Sequence, residues 1–122
     1  MKLSDCAPAL LVKVERALSR MAKSHSIADV DAGIAKGDFQ LWAKPDAVVV
    51  TQIQQHPQAK MLCIFLAAGK LDQLEPMLEP LMEWARGQGC TSAYLVGRFG
   101  WLRSFVGNHG FAPTATVMER TL

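Results

Sequence analysis

The sequence predicts one α/β domain of the α+β type, in which helices flank both faces of a mixed, mostly antiparallel sheet. The apolar pattern changes from helical spacing to strand-like alternation near Phe39, and the run from Met61 to Ala68 is apolar on both faces. A long stripe of apolar residues at helical spacing follows Gly69. At 122 residues, half of them apolar, the chain has room for one core. The predicted order is ααβββαβαβ, in a single domain over residues 1–122.

Two amphipathic helices come first. Apolar residues at intervals of three and four predict a helix from about Ala7 to Ala22. Ser26, with Asp29 three residues later, matches the capping pattern that starts a second helix. Gly37 is a suitable end for it, because glycine readily adopts the left-handed conformation that closes a helix.

Three strands follow as a predicted antiparallel meander. Alternation predicts a short strand at Phe39–Ala43, and Lys44–Asp46 has the composition of a turn. The β-branched segment Ala47–Gln55 is the second strand, and Lys60–Ala68 is the third and central one. Strict alternation would place three side chains of the third strand on the same face: Leu62, Ile64 and Leu66.

The second half begins where Gly69 ends the central strand. An apolar stripe predicts a long helix to about Arg86, with Pro76 and Pro80 inside it. Because an interior proline removes a backbone hydrogen bond, we expect an irregular first half or a regular helix that begins near Pro76. The remaining predictions are a strand at Ala93–Val96, a short helix at Gly100–Val106 and a last strand at Ala115–Leu122.

Composition and charge exclude several classes of function. The formal net charge of +2, with acidic and basic residues interspersed, argues against a dedicated nucleic-acid binder. No apolar run reaches membrane-spanning length, and the N-terminus lacks the apolar segment of a secretory signal. The three cysteines form no Cys-x-x-Cys pair, which favours a reducing, cytoplasmic compartment. His25, His56 and His109 fall in separate turns, so no metal site is predicted.

The local sequence of the second half resembles the GNAT (Gcn5-related N-acetyltransferase) superfamily. The strings that carry the resemblance are Glu83–Cys90, similar to the family's helix end, and Asn108–Phe111, similar to its Gly-Phe step into the last strands. The alternative is another small α/β fold with the same element order. If the protein is active, the resemblance implies an N-acyltransferase that uses acetyl-CoA. The cofactor would then lie along Phe65, Leu66, Ala67, Ala68, Gly69 and Lys70.

The sequence departs from the family pattern in two places. The family's phosphate-binding loop has the form Gln/Arg-x-x-Gly-x-Gly/Ala, and here Gly69, Asp72 and Leu74 stand at its three defining positions. Val106 stands where many members have a tyrosine that protonates the departing thiolate. Tyr94, the single tyrosine, is a candidate for that acid, and packing with its hydroxyl at the sheet edge is the alternative. No cofactor is therefore firmly predicted.

The string Gly97–Trp101 offers a candidate partner or anion anchor. Arg98 supplies a fixed fork of donors, and Trp101 supplies a flat apolar surface. The alternative is a structural corner in which Trp101 packs on the core and Arg98 bonds loop carbonyls.

Two functional hypotheses follow. The first is a degenerate GNAT-like module that acts by binding protein partners. Gln40–Trp42 and Gly97–Trp101 are similar to strings in small GNAT-like proteins encoded among bacteriophage virion genes. That resemblance implies a structural or accessory virion component, located in the host cytoplasm or packaged in the virion. The second hypothesis is an active N-acetyltransferase with an atypical cofactor loop. The sequence indicates neither an acceptor substrate nor an oligomeric state.

Overall fold

The computed structural model describes residues 1–20, 23–97, 101 and 108–122. A 3₁₀ turn at Leu3–Asp5 precedes helices α1 (Pro8–Leu18) and α2 (Ile27–Lys36). Strands β1 (Gln40–Lys44), β2 (Ala47–Gln55) and β3 (Lys60–Gly69) follow, then helix α3 (Leu71–Gly87) and strand β4 (Ser92–Leu95). The sheet has the order β1-β2-β3-β4, with β1 to β3 antiparallel and β4 parallel to β3. The predicted fold class, including the meander, is confirmed.

The first two helices begin and end for local reasons. α2 begins at the predicted N-cap, where the Ser26 hydroxyl accepts from the Asp29 N–H at 3.1 Å and the Asp29 carboxylate accepts from the Ser26 N–H at 2.9 Å. It ends at Gly37, which has a φ of 84°. α1 is shorter than predicted, because the chain leaves it at Ser19, whose hydroxyl donates to the Glu15 carbonyl at 2.8 Å.

Each face of the sheet has its own apolar core. On one face α1 and α2 pack against β2 and β3 through Leu10, Val14, Val30, Val48 and Leu66. On the other face α3 packs against the same two strands. The buried residues of that second core are Ala47, Val49, Ile64, Leu74, Met77, Leu78 and Leu81. The prediction that helices cover both faces is therefore confirmed.

α3 departs from the expectation for its prolines. It is one continuous helix from Leu71 to Gly87 that contains both Pro76 and Pro80. Both prolines lie outside the apolar stripe, which is buried against the sheet. The packing of that stripe against the sheet holds the helix together despite the missing hydrogen bonds. The expectation of an irregular first half, or of a start near Pro76, is wrong.

The end of the chain also departs from the expectation. Residues 112–122 have no regular secondary structure and are exposed, so the predicted last strand at Ala115–Leu122 is wrong. The β-branched residues of this segment have no apolar surface to cover, and strand propensity without burial does not form a strand. The predicted short helix at Gly100–Val106 lies mostly outside the described residues. Over the part of the chain that the structure describes, no helix is long and apolar enough to cross a membrane.

Candidate functional site

The residues predicted to hold a cofactor lie along the second half of β3 and its exit. The pairing of β2 with β3 shifts between Val50 and Thr51, which face Leu66 and Ile64 respectively. Phe65 therefore has no counterpart in β2 and forms a β-bulge. Its ring lies 4.9 Å from that of Phe39 and 5.0 Å from that of His25, measured between centroids.

Beyond the bulge, the backbone of β3 remains paired with β2. Ala67, Ala68 and Gly69 lie opposite Val49, Val48 and Ala47 in the antiparallel ladder. Among the described residues, the parallel pairing of β3 with β4 stops earlier, at Ile64 and Leu95. The predicted cofactor segment is thus paired on its β2 side and begins beyond the last residue of β3 that pairs with β4.

At the exit from β3, Gly69 passes very close to the β1–β2 turn. Gly69 has a φ of 118°, and a Cβ at this position would overlap the carbonyl oxygen of Asp46. Position 69 therefore requires glycine for its conformation and for the approach of the two backbones.

The N-terminus of α3 is docked on the same turn. The Lys70 N–H donates to the Asp46 carbonyl at 2.9 Å, and the Asp46 N–H donates to Gln73 Oε1 at 2.8 Å. The Gln73 amide donates to the Asp46 carboxylate at 3.3 Å, and Lys70 Nζ lies 3.6 Å from the same carboxylate oxygen. The chain's own turn is therefore bound to the end of the helix that a phosphate group would use.

The residues at this helix end do not fit a pyrophosphate. Phosphate sites at helix N-termini combine free N–H groups, the positive end of the helix dipole and glycines that admit close approach. Here the Lys70 N–H is bonded to Asp46, and Asp72 adds a second carboxylate in the first turn of α3. Both carboxylates repel a phosphate and oppose the field of the helix dipole, and the Lys70 ammonium that would otherwise attract the phosphate is already paired with Asp46.

Tyr94, the predicted candidate for the acid, lies on β4 directly opposite Cys63. Its hydroxyl donates to Gln54 Oε1 at 2.8 Å. Burial and the neighbouring Cys63 thiol raise the pKa of Tyr94 above its ordinary value. Gln54 Oε1 also lies 3.4 Å from His56 Nε2, and Gln54 Nε2 donates to Gln52 Oε1 at 3.2 Å. The tyrosine is thus held in a polar network that includes two glutamines of β2.

The proposed anchor is described only in part. Trp101 is half-buried and packs against the α3-side core, beside Ile64, Leu78 and Leu95. This position agrees with the alternative interpretation of the string, in which Trp101 packs on the core. Arg98 lies outside the described residues, so its role as an anchor stays a prediction. Val106, which stands at the position of the family's tyrosine, also lies outside the described residues.

A groove that the sequence did not reveal lies at the opposite end of the sheet from Gly69. It is an open groove of about 580 Å³ between the segment that precedes β1, Gln52 and Ile53 of β2, and the C-terminal end of α3. The residues that line it include His25, Asp38, Gln40, Gln52, Trp84 and Gln88. They come from separate parts of the chain, which is why spacing along the sequence gave no signal for them. Among the described residues, no group of three or more His, Cys, Asp or Glu side chains could hold a metal ion.

Comparison with known proteins supports the fold. No protein-family model matches the sequence, and no curated protein matches it. Among solved structures, a tetramutant of BH1408 from Bacillus halodurans has a TM-score of 0.70 at 12% identity, covering 100% of this chain and 97% of its own. An acetyltransferase from Trypanosoma brucei has a TM-score of 0.62 at 16% identity, covering 93% and 94%. Protein TTHA1254 from Thermus thermophilus also has a TM-score of 0.62 at 16% identity, covering 92% and 89%. At these identities the likeness shows a GNAT-like fold and nothing finer.

Proposed function

We propose that this protein is a binding module built on an acetyltransferase-like fold, and that it does not transfer acyl groups from acetyl-CoA. The observation that carries the proposal is the docking of the β1–β2 turn on α3. Asp46 bonds the Lys70 N–H and the Gln73 side chain at the end of the helix where the cofactor's pyrophosphate would lie. A fold whose helix end is bonded to its own β1–β2 turn, with the carboxylates of Asp46 and Asp72 beside it, keeps surfaces for binding but offers a poor site for the cofactor's pyrophosphate.

The test is the melting temperature of the protein with and without millimolar acetyl-CoA. A ligand present at about 100 times its dissociation constant adds about 2.7 kcal/mol to the free energy of unfolding, which is an easily measured shift. We expect no shift. A clear rise in melting temperature contradicts the proposal.

The two carboxylates can be replaced to test whether their repulsion of phosphate is the reason that acetyl-CoA does not bind. In the double variant Asp46→Asn, Asp72→Asn, the charges that oppose a phosphate are gone while the side-chain volumes are kept. The variant should lose some stability, because it loses the Lys70 ion pair. If acetyl-CoA raises the melting temperature of the variant but not of the original protein, repulsion by the carboxylates is the cause. A rise of equal size in both contradicts it.

An active N-acyltransferase is the second candidate function. The observation that favours it is the bulge at Phe65, which interrupts the β2–β3 ladder close to where the pairing of β3 with β4 ends. A bulge re-aims backbone and side-chain groups, and such irregularities are frequent next to active sites. The acetyl-CoA titration separates the two candidates, because only the transferase requires the cofactor.

We place the partners of the module among proteins, and among virion proteins in particular. The support for the virion setting is the resemblance of the strings Gln40–Trp42 and Gly97–Trp101. The measurement is immunodetection of the protein in virions purified from its native source. Its absence from those virions contradicts the setting without affecting the binding function.

A further inference from the structure

The edge of β2 is open at one end. β2 pairs with β3 along its whole length, from Ala47 to Gln55, whereas β1 pairs only with Ala47–Thr51. Among the described residues, no strand therefore pairs with the β1 side of Gln52–Gln55. At about 3.3 Å per residue, this four-residue edge is about 13 Å long.

The chain before β1 cannot close this edge, because it is bound to α2 instead. Gly37 turns the backbone at the C-terminus of α2, and the N–H groups of Asp38 and Phe39 both donate to the Gly33 carbonyl, at 2.9 and 3.2 Å. The groove of about 580 Å³ is lined by Gly37, Asp38 and Phe39 of this segment and by Gln52 and Ile53 of β2.

The formal charge that lines the groove is negative, whereas Lys36 and Arg86, in the last turns of the two helices that end there, do not line it. Gly37 and Gln88, the C-caps of α2 and α3, both line it, and a helix C-terminus carries about half a negative charge. Asp38 adds a full carboxylate to the lining. Among the described lining residues, no Asp, Glu, Lys or Arg other than Asp38 is present. Lys60 does not line the groove, and its side chain lies beside Gly89.

An aromatic surface lies beside these negative groups. Trp84 lines the groove, and its ring meets that of Trp42 edge to face at 5.2 Å. The orientation of Trp42 is fixed in turn, because its indole N–H donates to the buried Thr51 hydroxyl at 3.0 Å. An indole is the best of the aromatic surfaces for a lysine or arginine side chain.

We propose that an extended peptide segment with a basic side chain adds as a strand to the open edge Gln52–Gln55. Its backbone pairs with β2, and its lysine or arginine lies between Asp38 and Trp84. Strand addition supplies affinity through main-chain hydrogen bonds, and the side-chain pocket supplies specificity. This inference rests on the proposed binding function and names the site of that function.

The experiment uses the synthetic peptide acetyl-Thr-Val-Lys-Val-Thr-amide and the full chain labelled with ¹⁵N. We expect the peptide to shift the amide signals of Gln52–Gln55 and the indole N–H of Trp84. Replacing the peptide's lysine by norleucine should weaken binding about two- to fivefold, in the range expected for an exposed charge pair. Equal binding of the norleucine peptide, or shifts confined to another surface, overturns the proposal.

Two further comparisons isolate the charge and the backbone. Asp38→Asn should weaken binding of the lysine peptide about two- to fivefold, whereas the matched control Glu79→Gln, on the exposed side of α3, should leave it unchanged. Two N-methylated versions of the peptide test the backbone pairing, one methylated at residues 1, 3 and 5 and the other at residues 2 and 4. Because the N–H groups of alternate residues point at β2, one version should lose binding and the other should bind like the unmethylated peptide. If both versions bind equally, strand addition is wrong.

Other occupants of the groove give distinct results. If n-butylammonium chloride causes the same shifts at the same concentration as the peptide, the ligand is a small cation and strand addition is wrong. If the Gln52–Gln55 amides are already protected in the free protein, and lose that protection on dilution, a second copy of the chain occupies the edge and the proposal is overturned. Neither result depends on acetyl-CoA, so failure here is distinguishable from failure of the proposed function.

Discussion

Gly69 and Asp46 approach so closely that no other residue fits at position 69. The φ of Gly69 is 118°, and any Cβ there would overlap the Asp46 carbonyl oxygen. This contact joins the end of the central strand to the β1–β2 turn and fixes the position at which α3 begins.

Gly69→Ala should therefore be strongly destabilising. Backbone strain of this kind costs on the order of 1–3 kcal/mol, and the overlap with Asp46 adds to it. The measurement is the free energy of unfolding in urea. The control is Gly87→Ala, since a Cβ at the last residue of α3 meets nothing within 4 Å. The control should be neutral or slightly stabilising, and equal losses in the two variants would show that the approach is not tight.

Pro80→Ala should stabilise the protein. Pro80 lies in the interior of α3 and is exposed, so its replacement restores a helical hydrogen bond without disturbing the core. An interior proline costs about 3 kcal/mol relative to alanine, and we expect a gain of about 1–3 kcal/mol in the free energy of unfolding. Urea denaturation followed by circular dichroism measures it. A loss of stability would show that α3 is not a regular helix at this position.

The sequence predicted most of the fold because most of it depends on spacing within one element. The cap at Ser26, the end at Gly37 and the apolar stripe of α3 are local patterns, and each was found where the pattern placed it. The bulge at Phe65 was missed because it belongs to the pairing of two strands. It puts Ile64 and Leu66 on opposite faces, where strict alternation had put them on the same one.

The site was predicted less well. The departure of Asp72 and Leu74 from the phosphate-loop pattern is visible in the sequence, but the docking of Asp46 on Lys70 is not, because it joins residues far apart in the chain. The groove beside Trp84 is a product of tertiary structure in the same way.

Cys63 should be unreactive towards thiol reagents in the native state. Its side chain is buried on β3, and burial raises the pKa of its thiol above the ordinary value of 9.0. Cys90 is half-buried and just past the end of α3, so it should label first. Mass spectrometry after timed labelling identifies the modified residue. Labelling of Cys63 as fast as Cys90, with the protein still folded, would place β3 at an exposed edge.

The stability of the protein should fall as the pH rises above about 9. Burial raises the pKa of Cys63 and of Cys6 above 9.0, and that of Tyr94 above 10.0. The native state therefore keeps protons that the unfolded chain loses, and the free energy of unfolding decreases as these groups ionise in the unfolded state. In Cys63→Ala the decrease between about pH 8 and pH 10.5 should be smaller. A free energy of unfolding that is constant over this range, or an identical decrease in the variant, would contradict the burial of the thiol.

The most direct test of the central claim is the amide spectrum of the α3 N-terminus in the presence of acetyl-CoA. The claim is that Asp46 holds the Lys70 N–H and the Gln73 side chain, so that this helix end does not bind a pyrophosphate. At about 1 mM acetyl-CoA, a concentration that saturates a site of micromolar affinity, the ¹⁵N–¹H signals of Gly69 to Gln73 should remain where they are in the free protein. Saturable shifts of these signals, largest at Lys70, would show that the cofactor displaces Asp46 and would contradict the account.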